Sequence, residues 1–366
     1  MNKIPLTLLL PPMAFFALFG SCALHAPSFD ENRWRSSVKS ADPALLYQPH
    51  VKDNRFFNPW MPGEEKGFFQ LLRWKLTSSQ EYTEEERTYL PGLVKKAKER
   101  ILAMPHGDFI MWVGHGTFLI RVNGIYWLVD PIFSERALLP KRKTPPGISL
   151  EDLKEIAPDP RVIVTHNHYD HLDKRTILDL PERTKVYVPL GLKPYIQSLN
   201  KKDVTEMDWW QEVDCGGDIR LVCLPAQHWS RRVGQGWNET LWASFMLITS
   251  QMKIYLGGDS GYFVGYQEIG KRFPGIDYAL LPTTAFHPRW FMHYNHMNVA
   301  ETIDAFGDLK ARFMIPTQWG TFHLGDEPPG YPVLELKQKI VARGLDPERF
   351  IIMDIGEIHA IPGKAN

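Results

Sequence analysis

The sequence predicts an α/β layered fold, and three observations lead to it. Short β-rich runs crowd the stretch from Phe109 to Val129 with only a few residues between them, the pattern of hairpins. Beyond it, β-rich runs alternate with helical patterns, as strands with crossover helices do. Of 366 residues, 44% are apolar and 12% aromatic, which is ample material for a buried core.

The chain opens with Met1-Asn2-Lys3 and an uncharged, mostly apolar run from Ile4 to Phe19, then Gly20-Ser21-Cys22. One positive charge, a short apolar run and small residues before a cysteine make an export signal. A membrane span needs about 20 apolar residues, and Pro5, Pro11 and Pro12 break any helix here. The Phe-Gly-Ser-Cys order is similar to a bacterial lipoprotein cleavage box, in which Cys22 would become the lipidated first residue. The expected location is therefore the bacterial cell envelope, on the periplasmic side, with Cys22 as anchor. Residues 1–22 then form the signal, the polar and irregular residues 23–56 a tether, and residues 57–366 one catalytic domain. Within that domain Glu81–Met104 reads as largely helical, interrupted at Pro91.

Strands are expected at Phe109–Val113, Phe118–Val122, Tyr126–Val129, Val162–Thr165 and Val186–Pro189. Later ones are expected at Ile219–Leu224, Ala243–Thr249, Lys253–Leu256 and Tyr278–Leu281. Helices are expected at Leu172–Asp179, Leu192–Leu199, Val299–Phe306 and Val333–Arg343. No repeat and no low-complexity block interrupts the series.

Lys and Arg number 42, and Asp and Glu number 42, a balance that argues against a chain that lives on nucleic acid. Three cysteines are too few for a disulfide scaffold or a four-thiolate zinc site, whereas 13 histidines favour imidazole and carboxylate ligation. Cys215 and Cys223 read as isolated core thiols or as a pair in an oxidising compartment. The sharpest motif is Val162-Ile-Val-Thr-His166-Asn-His168-Tyr-Asp170-His171-Leu-Asp173. A buried strand runs directly into three histidines and an aspartate. Residues two apart in extended chain point the same way, so His166 and His168 can grip one ion together. Asp170 and His171 follow as the chain turns into a helix. Neutral imidazole with carboxylate suits Zn²⁺, Fe or Mn²⁺.

This H-x-H-x-D-H run resembles the signature of the metallo-β-lactamase fold, which implies a four-layer αββα sandwich. The resemblance also implies a later histidine in the first metal site and a carboxylate bridging two metals. His228 of Leu224-Pro-Ala-Gln-His-Trp and Asp259 of Leu256-Gly-Gly-Asp-Ser-Gly match those places, each after an apolar strand. Further stretches resemble one branch, N-acyl-phosphatidylethanolamine-hydrolysing phospholipase D and its bacterial relatives. They include Trp112-Val-Gly-His-Gly-Thr-Phe, Val129-Asp-Pro-Ile-Phe-Ser, Asp208-Trp-Trp, Pro288-Arg-Trp-Phe-Met and Trp319-Gly-Thr-Phe, in the family's order.

One departure stands out. Where the family writes Ile-His-Trp-Gly-Thr-Phe, this chain has Thr317-Gln318-Trp-Gly-Thr-Phe, so Gln318 occupies the place of the second metal's last ligand. A glutamine oxygen can bind a metal but is uncharged, and His323, five residues on, is the other candidate. The expectation is two zinc ions, the second held more weakly or replaced by Mn²⁺ or Fe. Asp170 is expected to orient or deprotonate the attacking water, and His296 to protonate the leaving group or bind phosphate. Arg289 is a candidate phosphate partner or a structural one; His115 reads as supporting, and His287 and His293 as loop residues.

The resemblance implies a phospholipase D-type phosphodiesterase acting on (N-acyl) phosphatidylethanolamine or a related phospholipid at a membrane surface, with no nucleic-acid partner. Two alternatives are a hydrolase of another ester, lactone or soluble phosphodiester, and a low-turnover lipoprotein that binds lipid or metal.

Overall fold

The computed structural model describes residues 26–63, 65–77, 80–104 and 106–362. The export run and Cys22 lie outside them. Two mixed sheets face each other. In the first, strands Ile358–Ile361, Asp108–Gly114, Thr117–Val122 and Ile125–Val129 pair antiparallel. Arg161–Ile163, Val186–Pro189 and Val204–Met207 continue it in parallel. The second sheet runs Glu212–Asp214, Arg220–Leu224, Ser244–Ile248 and Lys253–Leu256 antiparallel, then Tyr278–Pro282 and Phe313–Thr317 parallel.

Strand periodicity builds the layers. In Asp108–Gly114, Ile110 and Trp112 point into the core shared with the second sheet, beside Phe245, Tyr255 and Leu280. Phe109, Met111 and Val113 point the other way, onto Leu153, Ile156, Ile177 and Ile196 of the outer helices. A period of two thus buries both faces of one strand. Helices Gly265–Arg272 and Val299–Leu309 cover the second sheet. The result is the αββα sandwich expected from the motifs.

Two readings need correction. Residues 23–56 are not simply a tether: from Glu31 to Lys39 the chain is a helix capped by Asp30, with Trp34 and Val38 buried one turn apart. The Trp34 indole donates to Glu301 Oε1 at 2.8 Å, and Leu46 is buried in the following turn. The few apolar residues in a polar segment are what dock it. Residues Glu81–Met104 give only two short helices, Glu84–Thr88 and Ala97–Leu102. Between them Pro91 keeps the chain extended, and the Gly92 amide donates to Asp354 Oδ1 at 2.8 Å instead of to a helical carbonyl. Of the two readings of Cys215 and Cys223, isolated core thiols holds: both are free and buried.

The long loop after Tyr278–Pro282 is tied down by a buried carboxylate. Glu327 accepts the amide protons of Phe286 and His287, each at 3.0 Å. Burial pushes its carboxyl up from 4.5 to about 7, against the pull of those amides. The folded chain therefore keeps this proton at a pH where the unfolded chain has lost it. Stability is expected to fall as pH rises from about 4.5 to about 7, by roughly 3 kcal/mol in all. Glu327→Gln is expected to flatten that slope. Denaturant unfolding of both proteins at pH 4.5, 6 and 7.5 measures it, and equal slopes would remove Glu327 as the cause.

Candidate metal centre

The functional side chains all leave strand ends at one edge of the sandwich. His166 and His168 follow Arg161–Ile163, His228 follows Arg220–Leu224, Asp259 follows Lys253–Leu256 and His115 follows Asp108–Gly114. Gly258 lets the sheets meet there. It has φ +57°, and a Cβ on it would sit 2.8 Å from Thr165 Cβ.

Two donor sets form, one of His166, His168, His228 and Asp259, the other of His115, Asp170 and His171. In the first, His168 Nδ1 lies 2.8 Å from His166 Nε2 and 3.2 Å from His228 Nε2. Asp259 Oδ2 stands 3.5 Å from His228 Nε2 and 3.9 Å from His166 Nε2. The other oxygen, Oδ1, turns to the second set, 3.2 Å from His171 Nε2. Asp170 Oδ2 lies 3.4 Å from that nitrogen and 3.0 Å from His115 Nε2. Ligand atoms held about 2.1 Å from one ion lie roughly 3.0–3.4 Å apart, so both sets have the spacing of a metal shell.

Outer hydrogen bonds turn the lone pairs inward. Thr165 Oγ1 gives its proton to Asp130 Oδ2 and so accepts from His166 Nδ1 at 3.0 Å. His228 Nδ1 donates to the Asn295 carbonyl at 3.1 Å, and His171 Nδ1 to Asp130 Oδ2 at 2.7 Å. Each bond leaves Nε2 unprotonated and facing its neighbours. His171 Nε2 is buried without a hydrogen-bond partner. Asp130 was not singled out in the sequence; the signal was there, an Asp-Pro closing an apolar strand.

Electrostatics agree with the geometry. Burial, then the neighbouring imidazoles, hold the His166 ring well below its usual pKa, which keeps it neutral and able to ligate. Burial opposes the charge on Asp259, but the His171, His228 and His166 rings outweigh it and hold the carboxyl well below its usual range. His171 goes the other way: against the effect of burial, Asp259, Asp170 and Asp130 raise it well above 6.5. Two carboxylates face His171 Nε2 while a third holds Nδ1, so the Nε2 side calls for a cation, and a divalent ion meets that demand as a proton does.

The cluster thus brings together His166, His168, Asp170, His171, His228 and Asp259, as the sequence predicted. His296 lies beside it, with its ring 5.2 Å from that of His228 and Nδ1 3.9 Å from Asp259 Oδ2. Gln318 borders the cluster with its amide nitrogen toward Asp259. Its amide nitrogen donates to Asp259 Oδ1 at 2.5 Å and to the Gly258 carbonyl at 3.1 Å, two acceptors that fix which end faces them. His323 is exposed and takes no part. The imidazole that joins Asp170 and His171 is His115, read from sequence only as a support. Arg289 is structural: Glu31 and Glu301 hold its guanidinium at 2.7 and 2.9 Å. His287 bonds the Tyr82 hydroxyl and His293 the Arg289 carbonyl, both at 2.9 Å, as loop residues do.

A family model described as β-lactamase superfamily domain matches residues 126–319, more than half of the 366 residues. The chain belongs to the β-lactamase superfamily. It is a metal-dependent hydrolase of that superfamily, with donor sets to match. This superfamily member is 35% identical over 271 residues to N-acyl-phosphatidylethanolamine-hydrolyzing phospholipase D 1 of Caenorhabditis elegans, covering 69% of the chain and 75% of the relative. It is 34% identical over 242 residues to the mitochondrial enzyme of that name in Saccharomyces cerevisiae, covering 63% of the chain but only 50% of the relative. The fold is shared with isothiocyanate hydrolase from Delia radicum gut bacteria, with a TM-score of 0.58 at 17% identity over 69% of this chain and 99% of that one.

Proposed function

We propose that the chain is a phospholipase D-type phosphodiesterase acting on phosphatidylethanolamine, its N-acyl form or a related phospholipid. The observation that carries this reading is a groove of about 720 Å³ that shares His168 and Asp170 with the metal centre. Its walls include Leu138, Leu139, Trp229, Val233 and Leu324, a lining suited to acyl chains. Leu139 and Val233 are 78% and 86% exposed at its rim. The names of the two phospholipase relatives support the same substrate class.

The chemistry divides among the chain's own residues. Metal ions in the two donor sets would supply Lewis acidity toward phosphoryl oxygens and a nucleophile from water near neutral pH. Zinc fits both sets, and Mn²⁺ or Fe the more carboxylate-rich second set. Asp170, its Oδ2 held by His115, takes the proton of the attacking water. As the new P–O bond forms, the bond to the headgroup alkoxide breaks and that alkoxide takes a proton from solvent, while His296 donates a hydrogen bond to the phosphoryl group. His296 Nδ1 is buried with no partner of its own, so the contact is open to a substrate.

A lipid surface is the proposed working environment. The helix Phe68–Thr77 buries Trp74 and Thr77 and exposes Phe68, Phe69, Leu71, Leu72 and Leu76. It packs on segments that lead to the site: the Trp74 indole donates at 2.7 Å to Asp326 Oδ1, two residues after Leu324 of the groove, and packs against Phe291, five residues before His296. Such a face is what an interfacial enzyme lays into a membrane. Export and a lipidated Cys22 belong to the same proposal.

The test is direct. Purified protein is incubated with vesicles of phosphatidylethanolamine and of its N-acyl form, and with a soluble phosphodiester, a simple ester and a lactone. Phosphatidic acid released in a chelator-sensitive way is the expected result. Turnover confined to soluble esters or lactones would overturn it. The double variant Phe68→Ser, Phe69→Ser is expected to lose at least about tenfold on vesicles, since each ring contributes roughly 1.5 kcal/mol or more on burial. Its rate on a soluble phosphodiester is expected to stay unchanged.

A further inference from the structure

Lys66 stands just before the helix Phe68–Thr77, and its ammonium is buried with no hydrogen-bond partner. Its contact is the face of Phe291, 4.4 Å from the nitrogen. The neighbouring cation, Arg289, is already matched by Glu31 and Glu301. Among the described residues, Lys66 is left with no anion. Burial, and then the Arg289 charge, lower it from 10.5 to about 8, so it still carries its proton at neutral pH. A buried ammonium without a counter-charge is costly, and such a group persists where something binds to it.

Its position tells what that is. Lys66 packs on Phe291, and the turn after Phe291, closed by the His296 amide on the Met292 carbonyl at 3.0 Å, leads to His296, whose own Nδ1 is buried and unpartnered beside Asp259. The adjacent residue, Glu65, pairs with Arg231 of the groove wall at 3.2 Å. The segment bearing Lys66 therefore runs between the groove and the His296 side of the metal centre. Two unmatched donors, an ammonium and an imidazole, lie on this wall. An anion with several acceptor oxygens satisfies both at once; a neutral ester or lactone satisfies neither fully.

We infer that Lys66, with His296, forms a receptor for a phosphoryl oxygen of the substrate, and that this receptor selects phosphate-bearing substrates over neutral ones. The inference rests on the phosphodiesterase reading for its catalytic meaning, but its test does not require turnover. The same chemistry serves a free phosphate or a lipid headgroup, and the two are measured separately.

Binding of inorganic phosphate to the metal-loaded protein is followed by calorimetry, in parallel with monomeric short-chain phosphatidic acid. Lys66→Met is expected to weaken both at least about tenfold, as the loss of one charge-assisted hydrogen bond does. Lys66→Arg is expected to stay within a few-fold of the parent, which keeps the test informative if the methionine variant folds poorly. Lys75→Met, on the exposed helix with its ammonium over Trp74, is the control and is expected to leave phosphate binding unchanged. Unchanged phosphate affinity in Lys66→Met would overturn the receptor. Loss of phosphate with lipid binding retained would overturn its role toward the headgroup. Failure of the enzyme on every phospholipid, with the phosphate result intact, would overturn the substrate reading and leave the receptor standing.

Discussion

Asp259→Asn is expected to lower hydrolysis by about 10³-fold or more and to empty at least one of the two donor sets of tightly held metal. The size follows from the several kcal/mol that metal ions contribute to stabilising charge in such a transition state, at 1.36 kcal/mol per tenfold. The reach follows from geometry. One oxygen of Asp259 faces His228 and His166, and the other faces His171. An asparagine of the same shape keeps one carbonyl oxygen for one set and turns two N–H donors toward the other. A donor aimed at a place built for a cation repels it. The change is nearly isosteric in a buried position, so the fold is expected to persist; far-UV circular dichroism checks that while elemental analysis counts the ions. A variant that keeps its metal and more than a tenth of the parent rate would show that Asp259 is not the shared ligand.

Sequence periodicity and motif spacing captured what depends on short stretches of chain. Val186–Pro189 and Lys253–Leu256 are strands with the expected bounds, because each is a brief β-rich run closed by turn chemistry. His166, His168, Asp170 and His171 were legible because six consecutive residues carry all four. Asp259 and His228 needed the motif order as well, since a lone Asp after a strand says little. What escaped depends on contacts between distant parts. The helix Glu31–Lys39 is polar on average, and it docks through partners far along the chain, such as Glu301, 267 residues beyond Trp34. His115 sits in an ordinary-looking Gly-His-Gly turn, and its tie to Asp170 spans 55 positions. Gln318 was found as a departure from a pattern, but which way its amide points is a three-dimensional fact.

That orientation makes Gln318→His the second large expected effect. The Gln318 amide now donates to Asp259 Oδ1, the same oxygen that faces the second donor set. A donor there takes up lone-pair density that a metal ion would otherwise receive. The parent protein is expected to hold its three-histidine ion through exhaustive dialysis and to release the other. Gln318→His removes the amide and offers an imidazole, so the retained metal is expected to rise from about one to about two ions per chain. The backbone tolerates the change: residue 318 has φ +71°, a region where histidine is among the enriched side chains. Its main chain also holds His115, donating to the His115 carbonyl and accepting from Nδ1, both at 3.1 Å, and a side-chain substitution leaves those bonds in place. The second set would then contain His115, Asp170, His171 and the new imidazole around one ion. Two tightly held ions in the parent would refute the argument, because the amide would then be no obstacle. A variant with no added metal would refute it equally, by showing that His115 already supplies all that an imidazole at position 318 can.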